Sequence, residues 1–275
     1  MLDLTYFSEE FSEIVYRDKT VGWICNINNE FGISVSGGVS KQKEIAYQIA
    51  KAEFLERSEV EQLWKDSKTQ KEWLLDSYPS CSGFAFGFDD QKTFFRSAFE
   101  AVERWAWSKW IDEKVGFMKV IDYVPGKLEQ TLLSCFSKVT FMKGSVTAKV
   151  NGENFNLCLY IVLGETEKGV FPGSRVTVNS DDNPFEHAVV ESWRHFKIYT
   201  HRVESKSTFY NRISYFGENK SEAFKQIPKY NSDQVLTPFN LEFSKRKITS
   251  EGFLWRCLSK KYFCWSKGKV NRFVY

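Results

Sequence analysis

A repeated pattern of acids constrains this chain more than its composition does. "AKAEFLERSEV", residues 50–60, returns as "SAFEAVERWAW", residues 97–107. In each copy a small residue, Ala50 or Ser97, precedes a glutamate by three positions, and a second glutamate follows three later with an arginine behind it. Residues three apart share one face of a helix, so Glu53 with Glu56, and Glu100 with Glu103, form two carboxylate pairs, each aimed one way. If both faces turn inward, four acids meet. Desolvation and like-charge repulsion would then protonate several of them unless cations balance the charge. Carboxylates without histidine suit the hard ions Mg²⁺ or Mn²⁺, and these suit a polyphosphate whose oxygens complete the octahedron. The chemistry implied is that of a nucleoside triphosphate. The plainer alternative is a solvated helix face, where Glu and Arg are good helix formers and each ion pair adds about 0.2–0.5 kcal/mol. A third stretch weighs against chance: Ala188 stands three before Glu191, although that run continues as Ser-Trp-Arg-His without a second glutamate.

The elements around these motifs alternate. "TVGWICNINNEFGISVSGG" predicts two strands joined at Asn28-Asn29, where asparagine tolerates positive φ. From Lys41 the apolar positions Ile45, Ile49, Ala52 and Leu55 recur at helical spacing, predicting a helix to the mid-60s that the lysine-rich stretch near Lys68 ends. "SGFAFGF", residues 82–88, predicts a strand with something close to its backbone, and Asp89 or Asp90 caps a second helix reaching about Ile111. "FMKVIDYV", "KVTFMKGSVTAKV" and "FNLCLYIVLGE" are β-like, with a turn at "NGEN". Asp182 or Asn183 then caps a third, amphipathic helix with Pro184 at its first position. The polar run from about Glu204 to Asp233 reads as a mobile excursion, and the tail from Phe253 returns to strand-like composition. The fold class expected is mixed α/β (α+β). With 275 residues, 42% hydrophobic and 27% charged, and no low-complexity linker, residues 1–275 read as one domain.

Several functions are excluded. A formal charge of +3 spread over interspersed acids and bases argues against a nucleic-acid surface. No apolar run approaches the roughly 18 residues of a membrane span, and the acidic start "MLDLTYFSEEFSE" is not a signal peptide, so a cytoplasmic protein without membrane partners is expected. The six cysteines are scattered without a C-x-x-C, which predicts reduced, mostly buried thiols and no structural zinc. His187, Glu191 and His195 share a helical stripe that could hold a transition metal, but a hydrogen-bonded structural histidine is the more ordinary reading. Trp105, Trp107 and Trp110 recur at spacing that favours core packing over a peptide contact.

Three segments together carry a resemblance. "SGGVSKQKEIAYQIAKAEFLER", "SCSGFAFGFDDQKTFFRSAFEAVERWAWSKW" and "NPFEHAVVESWRHF" resemble, in order and character, the nucleotide-site segments of the YcaO family, and cover about a quarter of the chain. The resemblance implies a YcaO-like domain that binds ATP through Mg²⁺ without a P-loop. It implies an amide-activating enzyme of the cyclodehydratase type, which phosphorylates a peptide-backbone amide oxygen and yields an azoline, amidine or thioamide in ribosomal peptide or protein modification. By carry-over, Glu53, Glu56, Glu100 and Glu103 hold Mg²⁺, Arg104 steadies that cluster or a phosphate, and Glu191 meets nucleotide or metal. Ser97, Arg194 and Lys41 complete the nucleotide-binding set. The partners implied are a precursor peptide or protein substrate and a separate leader-binding or activating protein, with a homodimer as the default assembly. The chain departs from the family's pattern in places. Gly37-Gly38-Val39 stands where glycine-lysine-glycine is usual, Ile49 replaces a serine, Arg194 replaces a glutamine, and Phe196 replaces an arginine. These changes bear on nucleotide grip more than on metal, and they leave a second expectation: a catalytically silent scaffold or substrate-binding subunit of such a complex.

Overall fold

The computed structural model describes residues 7–75, 82–178, 183–201, 208–228, 232–259 and 270–273. It is mixed α+β, as expected. The strands are β1 (Ser8–Tyr16), β2 (Lys19–Asn28), β3 (Ser34–Ser40), β4 (Phe84–Gly87), β5 (Met118–Val120) and β6 (Lys138–Val150), then β7 (Glu153–Glu165), β8 (Val170–Val178), β9 (Leu236–Asn240), β10 (Phe243–Ile248) and β11 (Phe253–Leu258). The helices are α1 (Lys43–Trp64), α2 (Ser67–Glu72), α3 (Asp90–Ile111), α4 (Lys127–Leu133), α5 (Glu186–Thr200), α6 (Thr208–Glu218) and α7 (Lys220–Gln226). The chain forms two compact units. One comprises Met1–Ser97, Pro125–Thr131 and Lys245–Arg256, and the other Ala98–Val124, Leu132–Ser244 and Cys257–Tyr275.

The first unit holds two three-stranded sheets, ordered β1-β2-β3 and β10-β11-β4. Arg17 and Asp18, both at positive φ, turn β1 into β2. The β2–β3 connection is longer than the tight Asn28-Asn29 turn expected. Asn29 Oδ1 accepts from the amides of Phe31 (3.1 Å) and Ile33 (3.0 Å), and positive φ falls at Gly32. Helix α1 lies on β2 and β3 by only part of the stripe predicted. Ala52 and Leu55 are buried as expected, but Ile45 and Ile49 are 39% and 41% exposed, and Ala46, Ala50 and Phe54 are buried instead. Gly38 explains this shift: a Cβ there would stand 2.0 Å from the Ala46 carbonyl oxygen, so helix and strand meet backbone to backbone. Ser36 donates its hydroxyl to the Ala50 carbonyl (2.9 Å) in the same seam. Helix α1 ends at Trp64 with Lys65 as its C-cap, in the mid-60s as expected, but Lys68 lies inside α2, which Asp66 caps by accepting from the Thr69 amide (2.8 Å). Strand β4 is buried along its whole length, and Asp89 opens α3 by accepting from the Lys92 amide (2.9 Å).

The second unit is built on a sheet ordered β5-β6-β7-β8, with β9 parallel to β6. Asn151 and Gly152, both at positive φ, make the expected turn between β6 and β7. Helix α5 packs on β8, and Trp105, Trp107 and Trp110 are core residues, as their spacing suggests. Pro184 precedes α5 instead of opening it. The N-cap is Phe185, without a side-chain cap, and Asn183 instead donates its side-chain amide to Glu186 (3.1 Å). Asp182 lies outside the described residues. The excursion expected from about Glu204 is in large part α6 and α7, with Arg212, Ile213, Phe216 and Ala223 buried. The sequence reading also lacked β1, β8, β9, β10 and α4. Of the cysteines, Cys25, Cys158 and Cys257 are buried free thiols and Cys135 is half-buried, while Cys81 and Cys264 lie outside the described residues. Among the described residues no helix is long and apolar enough to cross a membrane.

Candidate functional site

Strands β3, β4 and β8 each end their sheet, and an edge strand presents a row of backbone groups without a strand partner. Glu53, Glu56, Glu103 and Glu191, four of the glutamates singled out by the sequence, take such groups. In the first unit, the Gly37 amide on β3 donates to Glu53 Oε2 (3.3 Å) and the Phe86 amide on β4 donates to Glu56 Oε2 (3.2 Å). The two carboxylates of one α1 face thus reach the edges of two different sheets. Arg57 holds Glu53 from the next turn (2.5 Å) and donates to the Val35 carbonyl (2.6 Å).

In the second unit the acids of α3 and α5 both meet β8. Glu103, buried, accepts from the Val176 amide at Oε2 (3.1 Å), and from the Ser174 hydroxyl (2.9 Å) and Arg104 Nη1 (3.1 Å) at Oε1. Glu191 Oε2 accepts from the Ser174 amide (2.7 Å). Arg104 also reaches Glu100, with Nη2 at 3.7 Å from Oε1, so it spans the Glu100/Glu103 pair. Hydrogen bonds to charged groups contribute about 1.5–3 kcal/mol each, enough to hold a carboxylate to a strand edge. Burial pushes the Glu103 carboxyl above the usual carboxylate range; Arg104 draws it back, Glu191 adds to the rise, and the Ser174 and Val176 donors oppose it.

The small residues of the motifs pack against the sheets. Ala50 and Ala188 face strands. A Cβ on Gly173 of β8 would stand 2.0 Å from the Ala188 carbonyl oxygen, repeating the Gly38 seam. Ser97 is fully buried and donates to the Gly83 carbonyl (2.7 Å), fixing the approach to β4. Lys41 is exposed in the β3–α1 connection, and Arg194 is half-buried on α5. The histidine stripe divides: His187 is exposed, while His195 is buried with Nδ1 2.6 Å from the Pro172 carbonyl oxygen and its ring edge-on to Phe209. A carbonyl only accepts, so Nδ1 carries a proton. Burial depresses the His195 pKa to about 3; the Pro172 carbonyl opposes this, and Arg194 and Arg104 add to it. Arg57, Trp107 and Ser174 were not among the expected site residues. Only Arg57 had a signal, as the arginine closing the first motif.

Among the described residues no group of three or more His, Cys, Asp and Glu side chains is arranged to hold a metal ion. The acids come as pairs, and pairs fit one class of ion. Mg²⁺ is commonly bound by one or two carboxylates together with substrate phosphates and water, not by an all-protein cage. The donors are all hard oxygens, and although burial is the main cause of the rise in Glu103, Glu191 adds a repulsion that a cation would lessen.

No protein-family model and no curated protein matches the chain. A search of solved structures finds YcaO from Methanopyrus kandleri, in a structure bound with AMPPCP and Mg²⁺, at a TM-score of 0.51 and 13% identity. The match covers 72% of this chain and 64% of that one, so the chain spans less than two thirds of the protein it resembles. Together with the order of the acidic helices, this establishes a diverged YcaO-like fold.

Proposed function

We propose that the chain binds ATP with Mg²⁺ and activates a peptide-backbone amide during modification of a ribosomally made peptide or protein. The observation that carries this reading is the pairing of motif carboxylates with edge-strand amides in a YcaO-like fold. Glu53, Glu56, Glu100 and Glu103 would hold Mg²⁺, while Arg104 spans the second pair and limits repulsion within it. Glu191, Arg194 and Lys41 would serve the nucleotide directly, and Ser97 would serve it by fixing the Gly83 carbonyl. That the similar structure holds AMPPCP, a triphosphate analogue, and Mg²⁺ supports the same ligand class here. Bound ATP would supply the phosphoryl group that turns the amide oxygen into a leaving group, once a thiol, hydroxyl, amine or sulfide has added to the carbonyl. The product is then an azoline, amidine or thioamide. A cytoplasmic setting, a peptide substrate and a separate leader-binding partner belong to the same proposal.

Calorimetric titration of ATP with and without Mg²⁺ tests it. Micromolar, Mg²⁺-dependent binding is expected in the wild type, with loss in a Glu100→Gln, Glu103→Gln variant that folds normally. A wild type that binds no Mg²⁺-nucleotide would overturn the proposal and leave the silent scaffold as the reading.

A further inference from the structure

Ser174, fully buried in β8, touches both acids of the second unit's site. Its hydroxyl donates to Glu103 Oε1 and its amide to Glu191 Oε2, at 2.9 and 2.7 Å. The indole Nε1–H of Trp107, also buried, donates to Ser174 Oγ (2.8 Å). An indole N–H only donates, so it occupies a lone pair of Oγ and leaves the hydroxyl hydrogen for Glu103. A buried serine more often satisfies itself on a backbone carbonyl, as Ser36, Ser97 and Ser192 do here. Ser174 instead spends its hydroxyl on a carboxylate 71 positions away in sequence and takes its donor from an indole 67 positions away.

We propose that Ser174, oriented by Trp107, is a positioning residue that holds Glu103 and Glu191 in one fixed relation for a Mg²⁺–nucleoside triphosphate. This rests on the ATP-binding reading above. Groups behind a metal ligand set its direction, and their loss typically costs about 10- to 100-fold in metal affinity. Trp107 donates its indole N–H to the serine oxygen, so it acts on the acids through the Ser174 hydroxyl.

The test measures ATP affinity with and without Mg²⁺ for the wild type, Ser174→Ala, Trp107→Phe and the double variant, with ligand-free thermal unfolding of each. Ser174→Ala is expected to weaken Mg²⁺-ATP binding by about tenfold or more while leaving metal-free ATP binding within about twofold. Trp107→Phe should show a smaller loss of the same kind, and the double variant should bind like Ser174→Ala, because without the hydroxyl the indole has nothing to orient. Ser174→Cys, close in shape with a weaker donor, should fall between wild type and alanine. Equal losses with and without Mg²⁺, additive losses in the double variant, or wild-type binding by Ser174→Ala would each overturn the inference. If Ser174→Ala does not fold, Trp107→Phe decides alone: a Mg²⁺-specific loss supports the inference and its absence overturns it. A wild type without Mg²⁺-ATP binding fells the ATP reading and this inference together, whereas intact binding in the variants fells this inference only.

Discussion

Glu103 has two carboxylate oxygens and meets an arginine, a serine hydroxyl and a backbone amide. Burial and Glu191 oppose the ionised form and donors of this kind favour it, with burial the largest influence, so the carboxyl sits above its ordinary range. Burial shifts His195 toward its neutral form as well. Its pKa in the fold is about 3 against an ordinary 6.5, so between those values the unfolded chain binds a proton that the folded chain does not. Stability from this group is complete above about pH 6.5 and falls as pH drops toward 3, by about 1.4 kcal/mol per pH unit within the window. Urea unfolding should therefore show a loss of about 2 kcal/mol between pH 7 and pH 5 that is absent in a folded His195→Gln variant. Equal pH dependence in the two proteins would contradict this assignment.

At the scale of elements, legibility followed whether a signal was local. The α1 and α3 acid pairs were readable because spacing of three on a helix is a sequence property. The β6–β7 turn was readable because Asn-Gly accepts positive φ. Strand β1 was not, because Glu9, Glu10 and Glu13 are poor strand formers, and its order comes from pairing with β2. Strand β8 was hidden by Pro172 and Gly173. Pro172 shares the parity of Ser174 and Val176, whose amides point away from β7, so its missing N–H costs the ladder nothing. Periodicity along α1 marked an apolar face but not which stripe is buried; Gly38, well outside the helix, decided that. The carboxylates were legible, but their partners were not, since a strand amide has no letter in the sequence. Close packing at Gly173 yields a direct expectation. Gly173→Ala must push α5 from β8, costing about 1–3 kcal/mol in urea unfolding and weakening the Ser174–Glu191 bond. An unchanged unfolding midpoint would show that this seam yields without cost.

At the scale of the whole molecule, the two E-x-x-E-R pairs belong to different compact units; the first unit ties Glu53 and Glu56 to its sheet edges, and the second ties Glu103, together with Glu191, to β8. The same solution appears in both: small residues on the helix, glycine on the strand, and a carboxylate on an edge amide. The YcaO-like fold is shared with the Methanopyrus kandleri protein at 13% identity, and the acids of α1, α3 and α5 meet strand edges within it. The central claim is that these acids are metal ligands and not only edge caps. Crystals of the protein grown with AMPPCP and Mn²⁺, with anomalous scattering collected at the manganese edge, test it most directly. The expected result is manganese in contact with carboxylate oxygens of Glu53 and Glu56 or of Glu100 and Glu103, and with phosphate oxygens. Nucleotide bound with manganese away from all four glutamates, or no manganese at all, would contradict the claim and leave the carboxylates as structural caps.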